Sequence, residues 1–329
     1  MRILAGDIGG TKTLLQLQEI TPAHRSVVLE RRYESGLYPT FDGMLSEFLE
    51  MEKEPIRAAC LAVAGPVIKG RSEITNLHWV IEADALRNRF SIGRVILTND
   101  FSAVAVGVPL LQRTDLLSLN AGNRDLTMPI AILGAGTGLG EAVLVPVGDT
   151  WRVVASEGGH ADFASQNEEQ ADLLRVLQRR YGHVSYERVV SGQGLVNIFT
   201  FLRDGSFRDH PTAALNEDND LPASLSKLAG AGDTLALRTF GIFVDAYGAE
   251  AGNLALKVLA RGGVYLAGGV AAKNRDKFVD GRFMKAFAAK GRFSEFMLDF
   301  PVDLITNSNV GLIGALELAR KAAVEDESN

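Results

Sequence analysis

The sequence predicts an α/β protein built on a duplicated unit, the two copies facing each other across a cleft. Three observations carry that expectation. Short apolar, β-branched runs alternate with segments of helical apolar spacing along the chain. A glycine-tipped β-hairpin opens it at Gly6-Asp7-Ile8-Gly9-Gly10-Thr11. A second hairpin of the same design recurs about half a chain later, at Gly134-Ala135-Gly136-Thr137-Gly138-Leu139-Gly140.

The exits from these turns decide what each can be. Ile130 to Leu133 enters the second turn, and Ala142-Val-Leu-Val-Pro-Val147 leaves it as a strand. A dinucleotide fingerprint needs glycines at relative positions one, three and six, opening a helix. Counted from Gly134, position six is Leu139 and a strand follows, so that fingerprint is absent. At the N-terminus Lys12 follows Thr11 rather than a glycine, which excludes the P-loop pattern. What remains is a hairpin whose successive turn amides can cradle an anion, so each tip suits part of a polyphosphate. A tight turn with no ligand uses the same residues.

Composition narrows the class. The 329 residues are enough for two ordinary domains, and 47% apolar with 22% charged residues is the balance of a soluble globular chain. A net charge of −6 gives no reason to expect nucleic acid or an anionic membrane as partner. Met1-Arg2 runs straight into the first strand, so no signal peptide is expected, and no apolar stretch is long enough to span a membrane. A single cysteine, Cys60, excludes an intrachain disulfide and a Cys-built zinc site. It lies in the buried-strand pattern Ala58 to Val63. A cytoplasmic protein is expected.

Taken in order, Thr13 to Gln18 returns from the first turn as a strand, and Ser26 to Tyr33 forms a third. Phe41 to Met51 has amphipathic helical spacing. Ala58 to Ala64 is a strand ending in the turn Gly65-Pro66-Val67. Thr75-Asn76-Leu77-His78-Trp79 precedes a short helix, Ile81 to Phe90. Arg94 to Thr98 is a strand that runs through Asn99-Asp100 into an apolar helix, Phe101 to Leu111. Ser165 and Glu168 form a capping-box pattern for a helix that Gly182 ends. Ser185 to Val190 is a helical turn carrying Glu187, and Gly194 to Leu202 is a helix. His210 to Pro222 reads as a surface loop. Thr234 to Ala260 is one long helix with close-packing glycines at Gly248 and Gly252. Val264 to Ala267 is a buried strand turning at Gly268-Gly269. The basic stretch Gly281 to Glu295 reads as a solvated face, and a strand, Val302 to Thr306, and a helix, Gly311 to Ala323, close the chain.

Polar residues at the C-terminal ends of strands in an α/β sheet are favoured ligand positions. Asp100 occupies one, as a general base does when a hydroxyl is to accept a phosphoryl group. An Asp there also serves as a helix N-cap, and both readings stand. Glu157 and His160 bracket Gly158-Gly159, where glycine leaves the backbone open to a ligand. Carboxylates and amides can engage vicinal sugar hydroxyls in pairs, so Asn99, Asp100, Glu157, His160 and Glu187 are the right types for a sugar-binding ring. His24, His78, His183 and His210 show no metal spacing, so no metal held by the protein alone is expected. Magnesium arriving with a nucleotide would be held partly by Asp7.

With Ala64-Gly-Pro-Val67, Thr75-Asn-x-x-Trp79, Asn99-Asp-Phe-Ser-Ala103, Glu157-Gly-Gly-His160, Glu187-Arg-Val-x-Ser-Gly192 and Ala267-Gly-Gly269 added to the two glycine turns, the chain resembles the bacterial glucokinase family. That family lies within the hexokinase–actin–Hsp70 superfamily. The likeness covers nearly the whole length, and eight motifs in this order are specific where any one is weak. It implies two ribonuclease-H-like (actin-like ATPase) α/β domains flanking a central cleft. Their bounds would be residues 1–110 with about 301–329, and 111–300. The implied reaction is ATP-dependent phosphorylation of the 6-hydroxyl of D-glucose, with domain closure over the sugar.

On this likeness Asp100 would be the catalytic base, with Asn99, Glu157, His160 and Glu187 on the other hydroxyls. Gly6, Asp7, Ile8, Gly9, Gly10 and Thr11 would bind phosphates and Mg2+. Gly136, Thr137 and Gly138 would surround the γ-phosphate, and Gly268 and Gly269 would lie near the adenosine. A homodimer is the family expectation. Related repressor–kinase proteins carry a cysteine-rich zinc motif that is absent here, which favours the zinc-free branch. A kinase for another hexose and a non-catalytic sugar-binding regulator are the rival readings. The regulator would need a DNA-binding segment before residue 6, where there is no room for one.

Overall fold

The computed structural model describes residues 1–22, 24–74, 77–206, 208–214 and 220–325. Two compact units result, Met1–Leu111 with Asn309–Asn329, and Gln112–Ser308.

The first unit is a five-stranded sheet. Strands β1 (Arg2–Ile8), β2 (Lys12–Ile20) and β3 (Arg25–Glu34) form an antiparallel meander, and β4 (Ile56–Val63) and β7 (Arg94–Asn99) extend it in parallel from β1. The order is β3-β2-β1-β4-β7. The strands β5 (Arg71–Ile74) and β6 (Trp79–Glu82) pair separately as a ribbon. Helices α1 (Phe41–Phe48) and α2 (Ala83–Phe90) share one apolar cluster with β1, β2 and β4, through Phe41, Phe48 and Leu86.

The alanine-rich face of β4 (Ala58, Cys60, Ala62) takes a different partner, the C-terminal helix Val310–Glu325. Helix α3 (Asp100–Gly107) packs against that helix through glycines. A Cβ on Gly314 would overlap the Ala103 carbonyl, and one on Gly107 would overlap that of Val310. The crossing is close only because neither residue has a side chain.

The second unit repeats the plan. Strands β9 (Ile130–Ala135), β10 (Leu139–Val147) and β11 (Thr150–Ser156) form the antiparallel meander, and β12 (Gly263–Ala267) and β13 (Val302–Ile305) extend it in parallel from β9. Strand β8 (Leu116–Asn120) adds an antiparallel edge, giving β11-β10-β9-β12-β13-β8. Because β13 pairs with β12, residues 301–308 cluster with this unit rather than with the C-terminal helix.

The helices are α4 (Glu168–Tyr181), α5 (Gly192–Asp204), α6 (Leu221–Gly230), α7 (Thr234–Val258), α8 (Gly269–Lys273) and α9 (Arg282–Ala288). The long α7 is the spine. Its Gly248 and Gly252 sit against the Phe283 and Phe287 carbonyls of α9, the close packing their size predicts. Tyr247, fully buried, donates to the Leu133 carbonyl at 3.2 Å and accepts from the Ala135 N–H at 3.3 Å, which ties α7 to the end of β9.

Several local expectations need correction. The cap of α4 is Asn167, whose side chain accepts from Gln170 N, not Ser165. The stretch Gly281 to Glu295 is not one solvated face, since Phe283 and Phe287 are 0% exposed between its charges. The presumed loop His210 to Pro222 contains a 3-10 turn, Pro211–Ala214, and runs into the first turn of α6. Strands β8 and β11 were not anticipated, being short or half-exposed edges with little apolar alternation. The motif residues Thr75 and Asn76 lie outside the described residues.

Candidate active site

In the first unit the parallel strands deliver their polar ends to one edge. Register pairs Asp7 with Ala62, Ile8 with Val63, and Val63 with Asn99, so the first glycine tip, the Gly65 turn and Asp100 lie level. Gly6 and Ile8 belong to β1 itself. A Cβ on Gly6 would press on Leu15 and Leu61, and Ile8 is fully buried in the core. The turn proper is Gly9 to Thr11, closed by Gly9 N–H donating to the Lys12 carbonyl at 3.0 Å. Ser35 braces it from behind: its hydroxyl donates to the Gly9 carbonyl at 2.8 Å and its N–H to the Thr11 carbonyl at 2.9 Å. Lys12 is exposed beside the tip.

The cap of α3 is Asn99, whose Oδ1 accepts from Phe101 N and Ser102 N at 2.9 and 3.2 Å, while its Nδ2 donates to the Gly65 carbonyl. Asp100 Oδ1 also accepts from Phe101 N, at 2.7 Å. Asp100 is the first residue of the helix rather than its cap. Asp7 and Asp100 are near enough to repel: burial first, and then the Asp100 charge, push the Asp7 carboxyl up to about 6, against a smaller opposing pull from Arg32. Two carboxylates meeting beside a hairpin of turn amides suit a cation carried by a polyphosphate.

In the second unit the turn between β9 and β10 is only Gly136 to Gly138, because Gly134 and Gly140 pair across the strands. Its three glycine and threonine positions do different things. Gly136 has open space where a Cβ would stand and Thr137 is exposed, whereas a Cβ on Gly138 would overlap the Glu187 carboxylate. Glu187 Oε2 accepts from Leu139 N at 2.9 Å, a charge-assisted bond that fixes the carboxylate to the start of β10. The same turn holds α5, since Gly192 N–H donates to the Gly136 carbonyl at 2.8 Å.

Glu157 and His160 are both exposed and flank the 3-10 turn Gly158–His160. Gly158 and Gly159 are needed for a reason other than ligand access. A Cβ on Gly159 would overlap the Leu139 carbonyl and one on Gly158 the Glu141 carboxylate, so the turn lies directly on β10. The chain after His160 pairs with the chain before Glu187: Tyr186 N–H donates to the Ala161 carbonyl and Phe163 N–H to the Val184 carbonyl, each at 2.9 Å. Glu157, His160, Glu187 and the glycine turn are thereby one connected assembly.

Gly268 and Gly269 divide similarly. Gly268 has φ +87° and would overlap the Ala135 backbone with any side chain, whereas Gly269 faces open space. Gly269 lines a cavity of about 590 Å³ with Gly136, Thr137, Gln193, Lys227 and Lys273. The lining from α6 and the end of α8 was not foreseen. Of the α6 lining only Pro222 fell in the segment read as loop, and nothing in a lone Lys227 or Lys273 marks it as facing a ligand. Among the described residues no group of three or more His, Cys, Asp or Glu is arranged to hold a metal, and no helix is long and apolar enough to cross a membrane.

Two units, each an antiparallel meander turned by a glycine hairpin and extended by parallel strands, have the architecture of the two-domain actin-like class of sugar kinases. Comparisons agree. The family model described as Glucokinase matches residues 4–322. A glucokinase of Nostoc sp. (strain PCC 7120) is 42% identical over 332 residues, covering 95% of this chain and 97% of that one. A crystal structure of glucokinase from an Antarctic psychrotroph superposes with TM-score 0.83 at 31% identity, covering 97% and 99%. A glucokinase from Balamuthia mandrillaris solved in complex with glucose shares the fold, with TM-score 0.78 at 22% identity over 97% and 93%. The chain belongs to the glucokinase family.

Proposed function

We propose that the chain transfers the γ-phosphoryl group of ATP to the 6-hydroxyl of D-glucose. The observation that carries the reading is Asp100, the first residue of α3 behind the Asn99 cap and close enough to the Asp7 carboxylate at the first glycine tip to raise its pKa. Family membership supplies the substrate.

In this reading Asp100 orients the sugar hydroxyl and takes its proton as the phosphoryl group departs, while Glu157, His160 and Glu187 hold other hydroxyls and Asn99 adds a side-chain amide. Bidentate hydrogen bonding of carboxylates to neighbouring hydroxyls fixes the ring so that one oxygen faces the donor. The amides of Gly9 to Thr11 and of Gly136 to Gly138 receive phosphate oxygens, and the cavity beside Gly269 receives the nucleoside. Asp7 fits the magnesium that accompanies ATP, because its carboxylate is desolvated and repelled by Asp100 until a cation is near. That ion would neutralise charge on the phosphates. Most of the rate then comes from positioning and charge neutralisation.

The test is a panel of hexoses, glucose, mannose and N-acetylglucosamine among them, in a coupled ADP-release assay with ATP and polyphosphate as alternative donors. Glucose with ATP is expected to give the highest kcat/KM. Preference for another hexose would move the chain to the rival kinase reading, and no turnover with any would favour a sugar-binding regulator.

A further inference from the structure

The second unit holds a buried carboxyl beneath its sugar-facing turn that none of the roles above uses. Glu141 stands on β10 opposite Leu133 of β9 and Ser156 of β11, and is 4% exposed. Leu139 and Glu141 share a face of that strand, since side chains alternate. Leu139 lies under Gly159 and Glu141 under Gly158: a Cβ on Gly158 would overlap Glu141 Oε2 and stand 2.8 Å from its Cδ. Ser156, opposite Glu141, accepts the Gly158 N–H on its hydroxyl at 2.9 Å. The carboxyl is therefore the floor on which the turn between Glu157 and His160 rests.

We propose that Glu141 is a positioning residue for the sugar, its carboxyl bracing Gly158 so that Glu157 and His160 are presented at the right height. This rests on the reading that those two residues hold glucose. The carboxyl acts in its neutral form. Glu141 Oε1 is buried with no hydrogen-bond partner among the described residues, a poor setting for an ionised group. Burial, and secondly the charge of Glu250, raise its titration to about 7, against a smaller opposing pull from Lys257.

The titratable groups around Glu141 and its neighbour Glu250 come from every element packed against the pair. From α7 come Glu250, itself 1% exposed, with Tyr247 and Lys257, whose ammonium is 3.9 Å from Glu250 Oε1. From the turn before Glu187 comes Tyr186, whose hydroxyl accepts from Asn253 at 3.1 Å. From beyond α9 comes Lys290, donating to Asn253 Oδ1 at 2.6 Å. Ionising Glu141 puts a second negative charge beside Glu250 with an oxygen unsatisfied. Lifting the turn to admit water relieves it, and the sugar ligands move with the turn.

The experiment compares KM for glucose and for ATP from pH 6 to 9 in wild type, Glu141→Gln, Glu141→Ala and Glu157→Ala. Glu141→Gln, a permanent mimic of the neutral acid, is expected to hold glucose KM near its pH 6 value at pH 9, where wild type has risen several-fold. Glu141→Ala is expected to raise glucose KM about tenfold at pH 6 with ATP KM within twofold. If Glu141→Ala does not fold, the Glu141→Gln profile alone decides. A Glu141→Gln profile that rises like wild type overturns the proposal. If that happens while Glu157→Ala still raises glucose KM, only this inference fails; if Glu157→Ala leaves it unchanged, the underlying assignment of the sugar site fails.

Discussion

Asp7 carries a carboxylate that folding leaves poorly solvated and next to a second acid. Its folded titration point of about 6 lies above the 3.8 of an unperturbed Asp, so the folded chain binds that proton more tightly than the unfolded one. The stability this contributes is complete below about pH 4 and is lost as pH rises through 6. Asp7→Asn, assayed without nucleotide or magnesium, should therefore be more stable than wild type at pH 8 by on the order of 2 kcal/mol. The advantage should vanish near pH 4. Urea melts at the two pH values check it, and equal stabilities at pH 8 would count against the site. Gly138 makes a second case. Its missing side chain leaves room for the Glu187 carboxylate that Leu139 N–H holds. Gly138→Ala should raise glucose KM by about tenfold or more, and in a double-mutant cycle with Glu187→Gln the two effects should be strongly non-additive. Simple additivity would mean that Gly138 acts on the nucleotide instead.

At the scale of single elements the glycine hairpins were legible because their signal is local: an apolar run, a glycine cluster, a β-branched exit. The strand ending at Asn99-Asp100 was legible for the same reason. The division of labour among the glycines was not, since Gly138, Gly158, Gly159 and Gly268 each make room for protein atoms that the chain reaches later or from another strand. Nor could Glu141 be singled out, because its neighbour Glu250 lies on a helix far along the sequence. Helix α9 was hidden by its own charges, although Phe283 and Phe287 have helical spacing. The N-cap of α4 was misread because Ser165 and Glu168 match a spacing that Asn167 and Gln170 repeat two residues later. Thermal or urea denaturation tests that correction: Asn167→Ala should cost about 1 kcal/mol, and Ser165→Ala close to nothing. The reverse order would restore the sequence reading.

At the scale of the molecule, two sheets share the order of meander and parallel strands, the second adding the antiparallel edge β8, and each turns its meander through a glycine hairpin. Equivalent glycine hairpins have diverged in partner chemistry. The first stands beside two carboxylates and the second beside Glu157, His160 and Glu187. In the proposed reading that asymmetry divides the work, base and cation falling to the first unit and most of the sugar hydroxyls to the second. The claim on which all of this turns is that Asp100 takes the proton of the attacking hydroxyl. Turnover of Asp100→Ala with glucose and ATP measures it, alongside nucleotide binding and a thermal melt as controls. The expected result is a fall in kcat on the order of 10³-fold or more with both controls unchanged. A kcat within tenfold of wild type would contradict it.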